Sequence, residues 1–150
     1  MTMADGLSLR WTRESGACLR PAPTRALDAD EVRVRVELAG VCRTDLFAAE
    51  GKVGVRDGVV LGHELAAVVE EVGDAAGDVA IGARVTADPY VRCGRCLRCR
   101  EGRPRACLSP RLLGVEVDGA FATTAILPRS ALYILPMDLD ARAGAFVEPV

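Results

Sequence analysis

The sequence is poor in histidine, in aromatic residues and in long hydrophobic runs. Its single histidine, His63, excludes any metal site that needs two. Aromatic residues make up 4% of the chain and its net charge is −2, so it offers neither base-stacking surfaces nor an overall positive field. No apolar run approaches the roughly 20 residues of a membrane span, and residues 1–13 lack a signal-peptide pattern. We therefore expect a cytoplasmic protein with no nucleic-acid and no membrane partner.

Short apolar runs between glycines and prolines predict a mainly β fold. Val32, Val34 and Val36 alternate with charged residues, which is the period of a half-buried strand. Further strands are expected at residues 59–61, 65–72, 81–85, 120–127 and 132–135. This succession predicts one domain over residues 1–150, a partly open β-barrel.

Two short helices are expected beside the strands. One runs from about Thr44, where Thr44 or Asp45 can cap it, to about Glu50. The other begins near residue 138 or 140 and ends at Glu148, because Pro149 cannot continue it.

Four cysteines, Cys93, Cys96, Cys99 and Cys107, lie in one short lobe, residues 92–111. Their C-x2-C-x2-C-x7-C spacing lets all four sulfurs meet one ion, and zinc takes such tetrahedral thiolate sets. The arginines of the lobe offset the negative charge of the site. A closed set of four thiolates leaves no open position, so the predicted zinc is structural.

Other interpretations of the lobe are disfavoured. An iron–sulfur cluster of the bacterial type places its fourth cysteine after three residues and before a proline, whereas here seven residues intervene and Leu108 follows. A nucleic-acid-binding zinc ribbon is at odds with an acidic chain. Unrelated buried thiols are the structural alternative, but cytosolic cysteine clusters more often hold metal.

A second metal site is suggested by Cys42, in GVCRTD, and His63, in GHE. A lone cysteine is usually a small buried hydrophobe and a lone histidine usually binds no metal. Together they supply two ligands, and Glu148 or Glu64 supplies a carboxylate. A Cys/His/carboxylate zinc with an open fourth position is catalytic by its chemistry.

The motifs resemble, in order, those of the zinc-dependent medium-chain alcohol dehydrogenases. The resemblance rests on GVCRTD, GHE, the cysteine lobe, DGAFATTAILP and VEPV, from about residue 7 to 150. It falls on the N-terminal GroES-like catalytic domain, and the EP pair is typical of polyol and threonine dehydrogenases. It implies that Cys42 and His63 bind the catalytic zinc. It also implies that Glu148 is a third ligand or holds the zinc-bound water, and that Glu64 can exchange onto the metal.

The resemblance also implies roles for the residues after the first ligand. Asp45 would hydrogen-bond the imidazole of His63 and fix its tautomer. Thr44 would relay the proton of the alcohol, and Arg43 would contact the cofactor pyrophosphate. Helix capping and a solvated charge are the structural alternatives. Many relatives have a histidine in the relay where this chain has Phe47, so the proton would leave from Thr44 to water or to a cofactor ribose.

The cofactor fingerprint of the family is missing from this sequence. No two of the 15 glycines stand two residues apart, so G-x-G-x-x-G does not occur. We expect two zinc ions, one catalytic and one structural, and NAD(P) only with a separate Rossmann domain. That domain would come from a longer parent or from a partner, or the uncovered barrel would self-associate. Without it we expect no dehydrogenase activity.

Three functions are consistent with the motifs. The favoured one is hydride transfer between an alcohol or polyol on zinc and a nicotinamide, because Arg43 adjoins Cys42 and Glu148 is present. The second is a solitary enzyme that uses Lewis-acid zinc for hydrolysis, dehydration, cyclisation or isomerisation. The third is a non-catalytic zinc-binding module that binds a partner.

Overall fold

The computed structural model describes residues 6–150, which fold mainly as β-strands. This part of the chain has nine strands: β1 (Leu7–Thr12), β2 (Gly16–Pro21), β3 (Glu31–Gly40), β4 (Glu64–Val72), β5 (Arg84–Ala87), β6 (Tyr90–Val91), β7 (Arg111–Leu112), β8 (Thr124–Pro128) and β9 (Leu132–Ile134). It also has three short helices: α1 (Arg43–Ala49), α2 (Leu97–Arg100) and α3 (Ala141–Ala145). Single 3₁₀ turns span Pro104–Ala106 and Arg129–Ala131.

A five-stranded antiparallel sheet, in the order β8-β3-β4-β5-β9, forms the centre of the molecule. β3 is its longest strand and pairs with β4 from Val32–Val72 to Gly40–Glu64. The register shifts after Arg33 and after Val36, so two bulges interrupt this pairing. The side chains of the main hydrophobic core come largely from these strands. The pairing of β3 with β4 therefore fixes the position of Glu64, the first residue of β4, and of residues 62–63 directly before it.

The hairpin β1–β2 holds the segment that leads into His63. The Leu9 and Trp11 N–H groups donate to the carbonyls of Phe121 and Val59, at 2.7 and 2.9 Å. The Leu61 N–H donates in return to the carbonyl of Leu9, at 3.0 Å. Val59 and Leu61 are buried in a second, smaller hydrophobic cluster beneath α1.

The strands predicted from the sequence are recovered in part. The predictions at 32–37 and 65–72 are confirmed as β3 and β4, and those at 81–85, 120–127 and 132–135 correspond to the shifted or shorter β5, β8 and β9. The predicted strand at 59–61 is wrong, since Val60 makes only an isolated bridge to Arg10. Gly58 and Gly62 have positive φ and bend the backbone on both sides of it.

The predicted helices are also recovered, the second with a different end. α1 agrees with the prediction in its extent, but its N-cap is Cys42, and Asp45 closes the first turn from inside the helix by accepting the Cys42 N–H. α3 begins after Asp140, whose carboxylate accepts the Ala143 N–H at 2.8 Å, but it ends at Ala145 rather than at Glu148. The reason is that its last turn tightens, with the Val147 N–H donating to the carbonyl three residues back, and residues 146–149 continue as turns.

The sheets stay open throughout residues 6–150, so the predicted mainly β fold without a closed barrel is confirmed. No helix in the described part of the chain is both long enough and apolar enough to cross a bilayer.

Candidate metal centres

The four cysteines of the lobe meet in one place. Their Sγ atoms all lie within 4.8 Å of one another. The Sγ–Sγ distances are 3.5 Å for Cys96–Cys99 and for Cys93–Cys107, and 4.0 Å for Cys96–Cys107. A tetrahedron with zinc–sulfur bonds of about 2.3 Å has edges of about 3.8 Å. The sulfurs therefore fit a tetrahedral zinc.

Backbone N–H groups in the lobe point at the sulfurs. The N–H groups of Cys93 and Cys96 donate to Cys107 Sγ and Cys93 Sγ, each at 3.4 Å, and the Leu108 N–H donates to Cys96 Sγ at 3.5 Å. These donors stabilise thiolates. The Leu108 N–H lowers the pKa of Cys96 to about 6, and the Cys93 N–H lowers that of Cys107.

One thiol of the lobe opposes this trend. Desolvation, and then the neighbouring sulfurs, raise the pKa of Cys99 to about 12. Four thiolates cannot share so small a volume unless a cation neutralises them, so full deprotonation requires the metal. Seven arginines and one acidic residue lie in residues 92–111, and this excess of positive charge opposes the −2 charge of a zinc with four thiolates.

The second centre joins two chain segments that are distant in sequence. Cys42 precedes α1, and His63 and Glu64 lie where β4 begins. One ligand atom from each of the three residues lies within 4.8 Å of the others. His63 and Glu64 are buried, with 5% and 9% exposure, and Cys42 is half-buried. The described residues thus supply a thiol, an imidazole and a carboxylate to one site that is open on the side of Cys42.

Asp45 links two members of this centre. Its Oδ2 accepts the backbone N–H of Cys42 at 2.9 Å, which also closes the first turn of α1. Its Oδ1 lies 3.3 Å from Nδ1 of His63, without the alignment of a hydrogen bond, and Nδ1 has no other partner among residues 6–150. A carboxylate beside Nδ1 favours the tautomer that leaves Nε2 free to bind a metal.

The groups of the second centre favour a protonated His63 and a deprotonated Cys42 in the absence of a metal. The Asp45 carboxylate raises the pKa of His63 to about 9, so the imidazole carries a proton at pH 7 when no metal is present. The Thr44 N–H lowers the pKa of the Cys42 thiol. His63 thus carries an extra proton in the metal-free centre, and a metal that binds the imidazole must displace this proton.

Glu64 reaches the centre because residue 40 is glycine. Gly40 is the register partner of Glu64 across β3 and β4. A Cβ at residue 40 would lie 2.0 Å from Oε2 of Glu64 and 3.0 Å from its Cβ. The glycine therefore makes room for the carboxylate. The pattern that reveals this, a glycine two residues before the cysteine, is too common in sequences to be recognised before the register is known.

We expect Gly40→Ala to displace the Glu64 carboxylate and to weaken metal binding at the second centre by about tenfold, the size of effect that orienting groups have on metal sites. Competition with a chromophoric chelator measures this affinity. Gly54→Ala is the control, because a Cβ at residue 54 meets no atom of the described residues within 4 Å. An unchanged affinity in Gly40→Ala would show that Glu64 does not depend on this space.

Glu148 does not belong to the group of three. It is half-buried, three residues beyond the end of α3. Burial raises its pKa, the positive charge of His63 lowers it, and the nearby carboxylates, Glu64 first among them, raise it further. The Glu148 carboxyl is therefore within electrostatic reach of the centre without lying among its closest atoms, and its role as a ligand stays a prediction.

The remaining predicted site residues surround Cys42. The Thr44 hydroxyl lies 3.7 Å from Cys42 Sγ, and its side chain is half-buried. Arg43 is exposed at the start of α1. Phe47 is 41% exposed, with the Lys52 ammonium 5.9 Å from the centre of its ring. Phe47 carries no titratable group, so α1 offers no imidazole for a proton relay.

Known proteins share this sequence and this fold. Residues 28–137 match the alcohol dehydrogenase GroES-like domain. An L-threonine 3-dehydrogenase of Xanthomonas euvesicatoria is 33% identical over 138 residues, which cover 89% of this chain and 41% of that protein. The starvation-sensing protein RspB of Escherichia coli is 35% identical over 131 residues, which cover 87% of this chain and 38% of that protein.

Solved structures give the same result. A zinc-binding dehydrogenase of Sinorhizobium meliloti, solved with bound NADP, superposes with a TM-score of 0.86 at 35% identity over 96% of this chain and 42% of that one. The galactitol-1-phosphate dehydrogenase of Escherichia coli superposes with a TM-score of 0.82 at 29% identity, over 95% and 42% of the two chains. The chain thus spans about two fifths of the length of the proteins it matches.

Proposed function

The chain belongs to the family of the alcohol dehydrogenase GroES-like domain, and from that premise we propose that its second centre binds a catalytic zinc for the oxidation of alcohols or polyols. The observation that carries the proposal is the convergence of Cys42, His63 and Glu64 within 4.8 Å, beside a separate set of four cysteines that fits a structural zinc. A thiol, an imidazole and a carboxylate with an open position are the donor set of a catalytic zinc.

Each residue of the proposed site has a distinct task. Cys42 and His63 hold the metal together with a carboxylate, from Glu64 in the arrangement described and from Glu148 when it approaches. When bound, zinc acts as a Lewis acid that lowers the pKa of an alcohol. Asp45 keeps the proton of His63 on Nδ1, so that Nε2 faces the metal.

Residues at the start of α1 transfer the proton of the alcohol and contact the cofactor. The Thr44 hydroxyl, next to Cys42, accepts the proton of the alcohol and passes its own to water or to a cofactor ribose, since Phe47 cannot take part. Arg43, exposed at the same end of the helix, contacts the cofactor pyrophosphate.

We propose that the nicotinamide cofactor is held by a Rossmann domain that covers the open side of the centre. Apolar side chains are exposed on both segments that flank it. They are Leu46 and Phe47 on α1, at 55% and 41%, and Phe146 and Val147 after α3, at 65% and 47%. Exposed apolar side chains of this size are typical of surfaces that a partner covers. The Rossmann domain belongs to the same polypeptide or to a partner, with self-association as the alternative occupant.

Metal stoichiometry tests the proposed function. We expect close to two zinc ions per wild-type chain and close to one in Cys42→Ala, because the lobe retains its own ion. Cys18→Ala is the control, since Cys18 lies in β2 outside both groups of candidate ligands. One zinc in the wild type, or an unchanged content in Cys42→Ala, would contradict a metal at the second centre.

A further inference from the structure

We propose that Arg84 is a positioning residue that ties α3 to the central sheet and thereby places Glu148 beside the second centre. Its Nε donates to Oε2 of Glu37 at 2.7 Å, and its Nη1 donates to the carbonyl of Leu139 at 2.6 Å. One guanidinium thus joins β5, β3 and the residue before the N-cap of α3. The inference rests on the proposed function, in that Glu148 serves the metal.

The bulge in β3 makes Glu37 available for this contact. The register passes from Val36–Ala67 to Leu38–Ala66, so Glu37 has no partner residue on β4. An unpaired bulge residue turns its side chain out of the strand alternation. The Glu37 carboxylate reaches Arg84 on β5, the strand beyond β4.

The partial burial of this ion pair argues for positioning rather than for stability. The side chains of Arg84 and Glu37 are 26% and 22% exposed. At this depth the desolvation of two charges offsets most of their attraction, so the pair adds little net stability. What the pair provides is geometry, because the guanidinium is planar and its contact with the Glu37 carboxylate fixes the direction of its contact with the Leu139 carbonyl.

Further contacts hold α3 in place directly after Leu139, the residue that Arg84 contacts. Asp140 caps the helix directly after Leu139. Gly144 lies so close to the sheet that a Cβ there would be 2.8 Å from Leu135 Cδ1 and 3.1 Å from the Cβ of Ala66. Ala66 lies two residues after Glu64 on β4, so the packing contact of α3 on the sheet adjoins the second centre. Glu148 follows four residues after Gly144, and its position depends on this packing contact.

Arg84→Met tests the inference, because methionine keeps much of the apolar volume but loses both bonds. We expect zinc to leave the second centre about tenfold faster in the presence of a chromophoric chelator, with the slow release from the lobe unchanged. We also expect the amides of residues 141–147 to exchange hydrogen faster, in metal-free and metal-loaded protein alike. Arg84→Lys should behave like Arg84→Met, since an ammonium cannot make the forked contact.

Arg33→Met is a matched control. Arg33 makes the same pair of contacts elsewhere on the sheet, to Glu71 Oε2 at 2.8 Å and to the Arg25 carbonyl at 2.8 Å, and neither contact involves α3. Arg33→Met should leave both zinc release and hydrogen exchange unchanged.

The double variant Arg84→Met/Glu37→Leu separates stability from positioning. It removes the Glu37 charge that Arg84→Met leaves unpaired, but it does not restore the contact to residue 139. Its Tm should return to within a few degrees of the wild type while zinc release stays fast.

Three results would overturn the inference. They are unchanged exchange of residues 141–147 in Arg84→Met, an effect of equal size in Arg33→Met, and slow zinc release in the double variant. Failure of the proposed function gives a different result: the wild type would then hold zinc only in the lobe, while the exchange of α3 would still respond to Arg84→Met.

Discussion

Replacing Cys107 by serine should remove one zinc ion and unfold the lobe. Three thiolates remain, and the N–H donated by Cys93 loses its sulfur acceptor. α2 has four residues and the neighbouring strands β6 and β7 two each, so the secondary structure of the lobe is too short to persist alone. We therefore expect the metal to be the main source of order in this segment, as in other small structural zinc sites.

Limited trypsin digestion measures this effect. The lobe carries exposed arginines, among them Arg95 and Arg100, and we expect cleavage there to rise at least about tenfold in Cys107→Ser. Cys18→Ser, in β2, should leave both zinc content and digestion unchanged. Resistance to trypsin at one zinc per chain would show that the lobe folds without its ion.

Gly119→Ala should strongly destabilise the whole fold. A Cβ at residue 119 would lie 1.9 Å from the carbonyl oxygen of Gly62 and 2.8 Å from that of Leu61. Both atoms belong to the backbone and cannot swing away. The same two carbonyls accept the N–H groups of Ala120 and Phe121, so the two segments cannot separate without breaking these bonds. We expect a loss of about 3 kcal/mol in the free energy of unfolding, or a fall in Tm of roughly 10 °C.

Urea denaturation of the metal-loaded protein tests this prediction, with Gly54→Ala as the control because it has open space around its Cβ. Metal content should fall as well, since Gly62 directly precedes His63. A change in stability below about 0.5 kcal/mol would show that the two backbones separate more easily than the structure indicates.

The grouping of the four lobe cysteines could be predicted because its signal is local. Spacing alone groups Cys93, Cys96, Cys99 and Cys107, and the structure brings the four sulfurs together. The family followed from the order of the motifs and the mainly β fold from the short apolar runs, and both are confirmed. The alternation around Val34 was equally informative, because a strand with one buried face carries a period of two.

Features that depend on strand register were not accessible from the sequence. The space at Gly40 and the reach of Glu37 to Arg84 depend on the pairing of β3 with β4, in which the second bulge lies at Glu37. Residues 59–61 were predicted as a strand because they are apolar, yet burial and not sheet pairing explains their composition. α3 ends early because its last turn is tightened, and no residue in the sequence predicts this change.

Asp45 accepts the Cys42 N–H and lies 3.3 Å from Nδ1 of His63, so the proposed zinc site implies that the first turn of α1 and the metal affinity of the centre are coupled. The same carboxylate closes the helix and faces the imidazole, so we expect a change that frays this turn to alter the position of the carboxylate beside the ring. By reciprocity, a bound ion stabilises the helix by the same free energy with which the formed helix tightens the ion. The occupancy of the centre therefore reports on local folding as well as on chemistry, and mutations on the far side of α1 should alter metal affinity without touching a ligand.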